Sequence, residues 1–110
     1  MIYAIRAIGT EYVKFGKAKD PVRRLLLLQV GCPHLLEIES VADWPDSEEY
    51  AIHAYLTAIG AHHQGEWFKH CDEIVDIVAT MRKGLRGWRD AIRSKAPSRL
   101  AHHLKLVANG

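Results

Sequence analysis

The feature that most constrains this chain is a hairpin near its start. Ile2 to Ile8 and Tyr12 to Lys17 are short runs rich in β-branched and aromatic residues, and only Gly9-Thr10-Glu11 separates them. Such runs divided by so brief a glycine-bearing break read as two antiparallel strands. With Gly9-Thr10 as a two-residue turn, Ile8 pairs with Glu11 and Tyr3 falls opposite Gly16, whereas a turn one residue longer sets Tyr3 opposite Lys17. Either register brings the Tyr3 phenol beside the Gly16-Lys17 backbone, where the missing glycine side chain leaves space for a ligand.

Further elements follow from capping and periodicity. Asp20-Pro21 starts a helix, because aspartate caps orphan amides and proline at the first helical position lacks a donor that would be unpaired anyway. Gly31 marks its end. Val22, Leu25, Leu26 and Gln29 share one face, Leu27 and Leu28 widen the apolar surface, and Arg24 sits in the first turns. Leu35 to Ala42 alternates as a half-buried third strand, Pro45 and Asp46 open a second helix to about Gly60, and a third runs from about Cys71 to Lys83. Strand, strand, helix, strand, helix, helix is an α+β order. Gly84 and Gly87 weaken helix propensity, so the domain is expected over residues 1–83, with a helical extension over 84–110. In that extension Leu85, Trp88 and Ile92 have helical spacing, Pro97-Ser98 breaks the chain, and Leu100, Leu104 and Val107 form one more short helix.

At 110 residues the chain is one domain with a modest core. No apolar run approaches the roughly 20 residues of a membrane span, and no basic stretch followed by an apolar core opens the sequence, so a cytoplasmic protein without membrane partners is expected. Cys32 and Cys71 lack close metal-type spacing and are too few for a disulfide framework. The net charge of +2 hides a division: residues 1–79 hold seven Lys and Arg against twelve Asp and Glu, and residues 80–110 hold eight against one. A basic tail of that kind fits a nucleic-acid contact, and a solvated helix face gives the same pattern.

Glu49, Ile52, Leu56 and Ile59 recur at helical spacing, which assigns a carboxylate to an apolar stripe. Desolvating an unpaired charge is costly, so Glu49 needs a cation, either a metal ion or Arg24. His53 lies four residues on, on the same face. It either orients a reacting group, relays a proton or bonds a phosphate, or is packed and bonded to backbone. Glu49 with His53 lacks the second histidine of a zinc protease. His62-His63, His70-Cys71 and the Cys32/His34 pair lack a four-ligand spacing and read as surface residues.

The order of short motifs resembles the GIY-YIG nuclease superfamily, in its phage and bacterial branch. Ile2-Tyr3 is similar to the end of Gly-Ile-Tyr, and Lys14-Phe15-Gly16 to the branch's version of Tyr-Ile-Gly, with lysine replacing the first tyrosine. Arg24 stands eight residues beyond Gly16, as the branch places its arginine. Gln29-Val30-Gly31-Cys32-Pro33, Glu49 to His53, and Gly65-Glu66-Trp67-Phe68 follow in the branch's order. Gly16-Lys17-Ala18-Lys19-Asp20 is also similar to the motif of bacterial excision-repair members. The chain departs from the pattern where Ala18 replaces the usual threonine and in having no counterpart of the asparagine near the domain's end.

Over roughly residues 1–80, the resemblance implies a small three-stranded, mainly antiparallel sheet flanked by helices. It also implies an endonuclease that hydrolyses DNA phosphodiester bonds with one Mg²⁺ or Mn²⁺ ion held by Glu49. Tyr3 would be the base activating the water, since Lys14 stands where a second tyrosine is usual, and Lys14 or Lys17 would lower the phenol's pKa. Lys17 and Arg24 would stabilise charge on phosphoryl oxygens, and His53 would assist. These catalytic residues, Tyr3, Lys17, Arg24 and Glu49 above all, are expected on one concave surface. Glu66 would partner the catalytic cations, and Trp67 and Phe68 would plug the core beneath the second helix. DNA contacts are expected from Lys14, Lys19 and Arg23, and from Arg82, Lys83, Arg86, Arg89 and Arg93 while Leu85, Trp88 and Ile92 dock on the domain. The alternatives are a catalytically silent nucleic-acid-binding module of the same fold, and an interaction protein whose tail binds another protein or a second copy as a homodimer.

Overall fold

The computed structural model describes residues 1–95; the short helix expected around Leu100 to Val107 lies outside them. The architecture is α+β. Strands β1 (Ile2–Ala7) and β2 (Tyr12–Lys17) form the hairpin, α1 (Pro21–Gln29) leads to β3 (Leu36–Ala42), and α2 (Ser47–Ala58) precedes β4 (His62–Gln64) and β5 (Trp67–Lys69). Helix α3 (Asp72–Arg82) and a fourth helix, α4, over residues 88–95 complete it. No helix among the described residues is long and apolar enough to cross a membrane.

The sheet has five strands in the order β3-β1-β2-β5-β4, all neighbours antiparallel, and not the three expected. The extra hairpin turns at Gly65, whose φ of 55° favours glycine. Three-residue strands carry no readable period, and β4 is exposed along its length, so alternation could not reveal it. The one usable signal was the aromatic pair after a glycine.

Successive strand residues face opposite sides, and β1 therefore serves two cores. Ile2 and Ala4 join Phe15, Ile52, Leu56, Ile74 and Ile77 beneath α2 and α3. Tyr3, Ile5 and Ala7 join Leu36 beneath α1, which contributes Leu25 and Leu28. The same alternation splits Trp67 from Phe68. Phe68 fills the core under α2 as expected, whereas Trp67 packs on the α1 side. In β3 the register with β1 shifts between Ala4 and Ile5, passing over Glu39. That bulge lets Leu36 and Ile38 face the α1 layer while Ser40 and Ala42 face the other.

Local chemistry explains the helix ends. Asp20 accepts from the Arg23 amide at 3.1 Å and Pro21 follows it. Gln29 clamps the turn after α1: its amide nitrogen donates to the His34 carbonyl at 2.9 Å and its oxygen accepts from the Leu36 amide at 2.8 Å. The basic extension is tied to the domain. Trp88 and Ile92 enter the main core, Trp44 Nε1 donates to the Leu85 carbonyl at 3.0 Å, and Trp88 Nε1 donates to Glu48 Oε2 at 2.8 Å. Leu85, expected to dock, is exposed, as are Val22, Leu26 and Leu27 of α1. Alanine at Ile52 should lower the unfolding free energy by about 2–5 kcal/mol through a cavity. Leu27→Ala should change it by no more than about 0.5 kcal/mol, both read from urea unfolding.

Candidate active site

The hairpin adopts the first of its two allowed registers, with Tyr3 directly opposite Gly16. Opposed residues share a face, and the phenol lies across the glycine. A Cβ built on Gly16 would collide with the Tyr3 hydroxyl and ring, 2.5 Å from Cζ. The space expected for a ligand is thus filled by the protein's own side chain. The turn that sets this register is bonded internally, with Thr10 Oγ1 donating to the Ala7 carbonyl at 2.7 Å and accepting from the Tyr12 amide at 3.1 Å.

Burial pushes the Tyr3 phenol above its ordinary value. A hydrogen bond with Arg24 opposes this, and the carboxylates of Glu66 and Glu49 add to it. The cation at the phenol is Arg24, reaching from α1, and not Lys14 or Lys17. Lys14 is buried, with its ammonium 2.6 Å from Glu66 Oε2 and 5.9 Å from the ring centre of Trp67, its cross-strand neighbour.

Glu49 sits in the first turn of α2, only 8% exposed. Burial first, then hydrogen bonding with Glu66 and the charge of Glu66, hold its carboxyl above the ordinary glutamate range, against the pull of His53 and Lys17. Burial also works against the charge on Glu66, but the hydrogen bond and charge of Lys14, with smaller help from Glu49 and His53, bring that carboxyl below its ordinary value. Of the two carboxyls, Glu49 is thus the one whose environment favours the proton and Glu66 the one whose environment favours the charge. Glu49 finds its partners in Glu66 and His53, so the alternative ion pair with Arg24 is not formed. His53 Nε2 lies 2.7 Å from the Phe15 carbonyl and 3.8 Å from Glu49 Oε1. A carbonyl only accepts, so Nε2 carries the proton in that bond. The histidine is bonded to backbone and beside the carboxylate at once.

A cleft of about 610 Å³ opens here, lined by Lys17, Glu49, Tyr50, His53, Thr57 and Glu66. Lys17 is exposed at its mouth, 3.9 Å from Asp46 Oδ2. Tyr3 and Arg24 do not line it; they occupy the α1 side of the sheet. The expected single concave surface is replaced by two compartments. They meet at the edge of β2, where pairing with β5 ends at Lys14 and Trp67 and only the Phe15 amide bonds on, to the Glu66 carbonyl at 3.2 Å. Past that point Gly16 has no β5 neighbour, and the phenol senses both carboxylates.

Among the described residues, no three His, Cys, Asp or Glu side chains converge as a metal cage. An ion at this place would rest on Glu49, with Glu66 beside it, and otherwise on water and substrate oxygens. Such a donor set suits a hard cation that keeps much of its hydration. The other sequence-predicted residues lie apart from the cleft. Lys19 and Arg23 are exposed at the start of α1. Arg82 Nε donates to the Glu39 carbonyl at 3.1 Å, Arg89 lies 3.7 Å from Glu48 and over the Trp88 ring, and Arg93 lies 3.5 Å from Asp90. Lys83 and Arg86 are exposed. Tyr50, at the cleft rim, was not anticipated, since an exposed tyrosine on the polar side of a helix carries no signal.

No protein-family model, curated protein or solved structure matches this chain.

A raised folded-state pKa means that the folded protein holds the Glu49 proton more tightly than the unfolded chain. That contribution is full below the ordinary glutamate range and is lost as pH rises through the folded value. In chelator, Glu49→Gln should therefore melt higher than the native protein at neutral pH, with the gain disappearing on acidification into the ordinary glutamate range. Gly16→Ala should destabilise by about 1–3 kcal/mol through overpacking and shift the Tyr3 ring, read by denaturation and tyrosine ring resonances.

Proposed function

We propose that this chain is a metal-dependent endonuclease of the GIY-YIG type, hydrolysing DNA phosphodiester bonds by a one-metal mechanism that leaves a 5′-phosphate, in a cytoplasmic setting. The observation that carries this reading is that the Tyr3 phenol, packed across Gly16, is bonded by Arg24 and lies within the electrostatic reach of Glu49 and Glu66, which border the neighbouring cleft. Tyr3, Arg24 and Glu49 each come from a different element, and each stands at the position that the motif resemblance gives a catalytic role.

Bound at Glu49, Mg²⁺ or Mn²⁺ would supply Lewis-acid stabilisation of the leaving oxygen. Tyr3 would take or orient the proton of the attacking water. Its burial opposes ionisation, and the Arg24 guanidinium works the other way, so that one cation serves both the phenol and the phosphoryl charge. Lys17, free at the cleft mouth apart from its long approach to Asp46, would meet a substrate phosphate. His53 acts as a positioning residue: its bond to the Phe15 carbonyl ties α2 to β2 and so holds Glu49 at the sheet edge. Lys14 contributes through Glu66. Lys19 and Arg23, with Lys83 and Arg86 of the extension, are the exposed cations that would hold DNA, and Arg82, Arg89 and Arg93 support them from their bonded positions.

The rival reading is a nucleic-acid-binding module without chemistry, and the raised phenol favours it. Nicking assays with Mg²⁺ or Mn²⁺ on single- and double-stranded DNA decide between the two. Native protein should cleave, Glu49→Gln should lose cleavage by at least about a hundredfold with DNA affinity kept, and Tyr3→Phe should lose turnover far more than affinity. Wild-type cleavage by Glu49→Gln would sink the metal assignment, and salt-dependent binding without any cleavage would establish the rival.

A further inference from the structure

A second pocket lies on the sheet face that carries Tyr3, toward the other end of β2. It holds about 210 Å³ and is lined chiefly by Tyr12, Cys32, His34, His63, Gln64 and Trp67. His63 stacks on Tyr12 with ring centroids 4.2 Å apart and planes 19° from parallel. Neither ring belongs to a core cluster, and His63 is exposed, so the stack fills no space that the fold needs filled. Trp67 packs on the Tyr3–Ile5 layer, which makes the indole a fixed wall.

The lining is aromatic and polar without being charged: no Lys, Arg, Asp or Glu contributes to it. Two imidazoles, an amide and a thiol offer short-range donors and acceptors around flat rings. A phosphate or carboxylate would find no fixed cation here. A planar heterocycle with a polar edge would find a stacking face and partners for that edge, as unstacked bases do on aromatic side chains. Tyr12 and Gly16 are four residues apart on one strand, roughly 13 Å at about 3.3 Å per residue. A few nucleotides of extended strand cover that distance.

We propose that the pocket formed by Tyr12, His63 and Trp67 receives an unpaired nucleobase of the strand whose phosphodiester lies at Tyr3, so that the substrate is single-stranded DNA or DNA with a base turned out. The position of that phosphodiester rests on the nuclease reading above; the pocket does not. A base within a duplex is stacked on both faces and cannot enter without being extruded, so the pocket selects against intact duplex.

The test is binding without divalent ions, so that it is independent of cleavage. The probes are a single-stranded oligonucleotide carrying 2-aminopurine, moved position by position, the same strand with an abasic site in its place, the matched duplex, and 2-aminopurine nucleotide alone. The single strand should bind at least about tenfold more tightly than the duplex, with fluorescence quenched at one position. His63→Ala and Tyr12→Ala should each weaken it by roughly five- to a hundredfold with the salt slope unchanged, since no phosphate contact is lost. The abasic strand should bind native protein weakly and erase the effect of both variants. His63 is exposed, so its variant should keep the native circular dichroism and melt even if Tyr12→Ala does not. Equal binding of duplex and single strand, a His63→Ala variant that binds single strand as native protein does, or free nucleotide bound as tightly as the strand would overturn the proposal. Quenching that persists in a protein with no cleavage under any condition supports the pocket and rejects the nuclease reading alone.

Discussion

The packing of the Tyr3 ring across the bare backbone of Gly16 is the constraint on which the arrangement of this protein depends. A strand has a side-chain period of two, so a slip of one residue between β1 and β2 would send Tyr3 to the α2 layer and Ile2 to the α1 layer. Both cores would be lost together, and the phenol would leave Arg24. The register is held at a distance, by the Thr10 hydroxyl bridging the Ala7 carbonyl and the Tyr12 amide. Gly16 then acts as a gauge, because no other residue admits the ring.

Charge is arranged around the same point with a deficit. Lys14 satisfies Glu66, and Glu49 is left with a second carboxylate and a histidine whose proton faces a carbonyl. A buried carboxyl in that position keeps a proton or takes a cation. Because β5 begins only at Trp67, strand β2 has no ladder partner on that side past Lys14, and the cleft that holds the carboxyl opens beside this edge. The short strand that periodicity could not detect is what makes the edge.

What could be read from the residues alone was whatever rests on local chemistry. The Asp20-Pro21 cap and the β-branched, aromatic runs of β1 and β2 are short-range effects, and the structure has them with the expected Tyr3–Gly16 register, although the Thr10 amide bonds the Ala7 carbonyl and so centres the turn on Ile8-Gly9 and not on Gly9-Thr10. The placement of Glu49 on a buried stripe with Ile52 and Leu56 also follows from spacing, although Ile59, expected on the same stripe, lies past the end of α2 and is exposed; the docking of Trp88 and Ile92 follows likewise. Four facts needed the third dimension. Lys14 is consumed by Glu66, far away in sequence. Arg24 goes to a phenol and not to Glu49. Trp67 and Phe68 divide between two layers because β5 exists. The leucines of α1 outnumber what one sheet face can cover, so Leu26 and Leu27 remain outside while Leu25 and Leu28 pack.

The bulge at Glu39 has a consequence for the protein's life in a crowded solution. Strand β3 ends the sheet, and its outer rim offers unpaired amides and carbonyls that could template another chain. Skipping Glu39 breaks the regular ladder midway, and the Arg82 side chain donates to the Glu39 carbonyl at 3.1 Å. Two short half-edges, one of them blocked by a guanidinium, present no continuous rail for strand addition. The irregularity that lets one strand serve two cores thereby also guards the molecule against self-association into extended sheets.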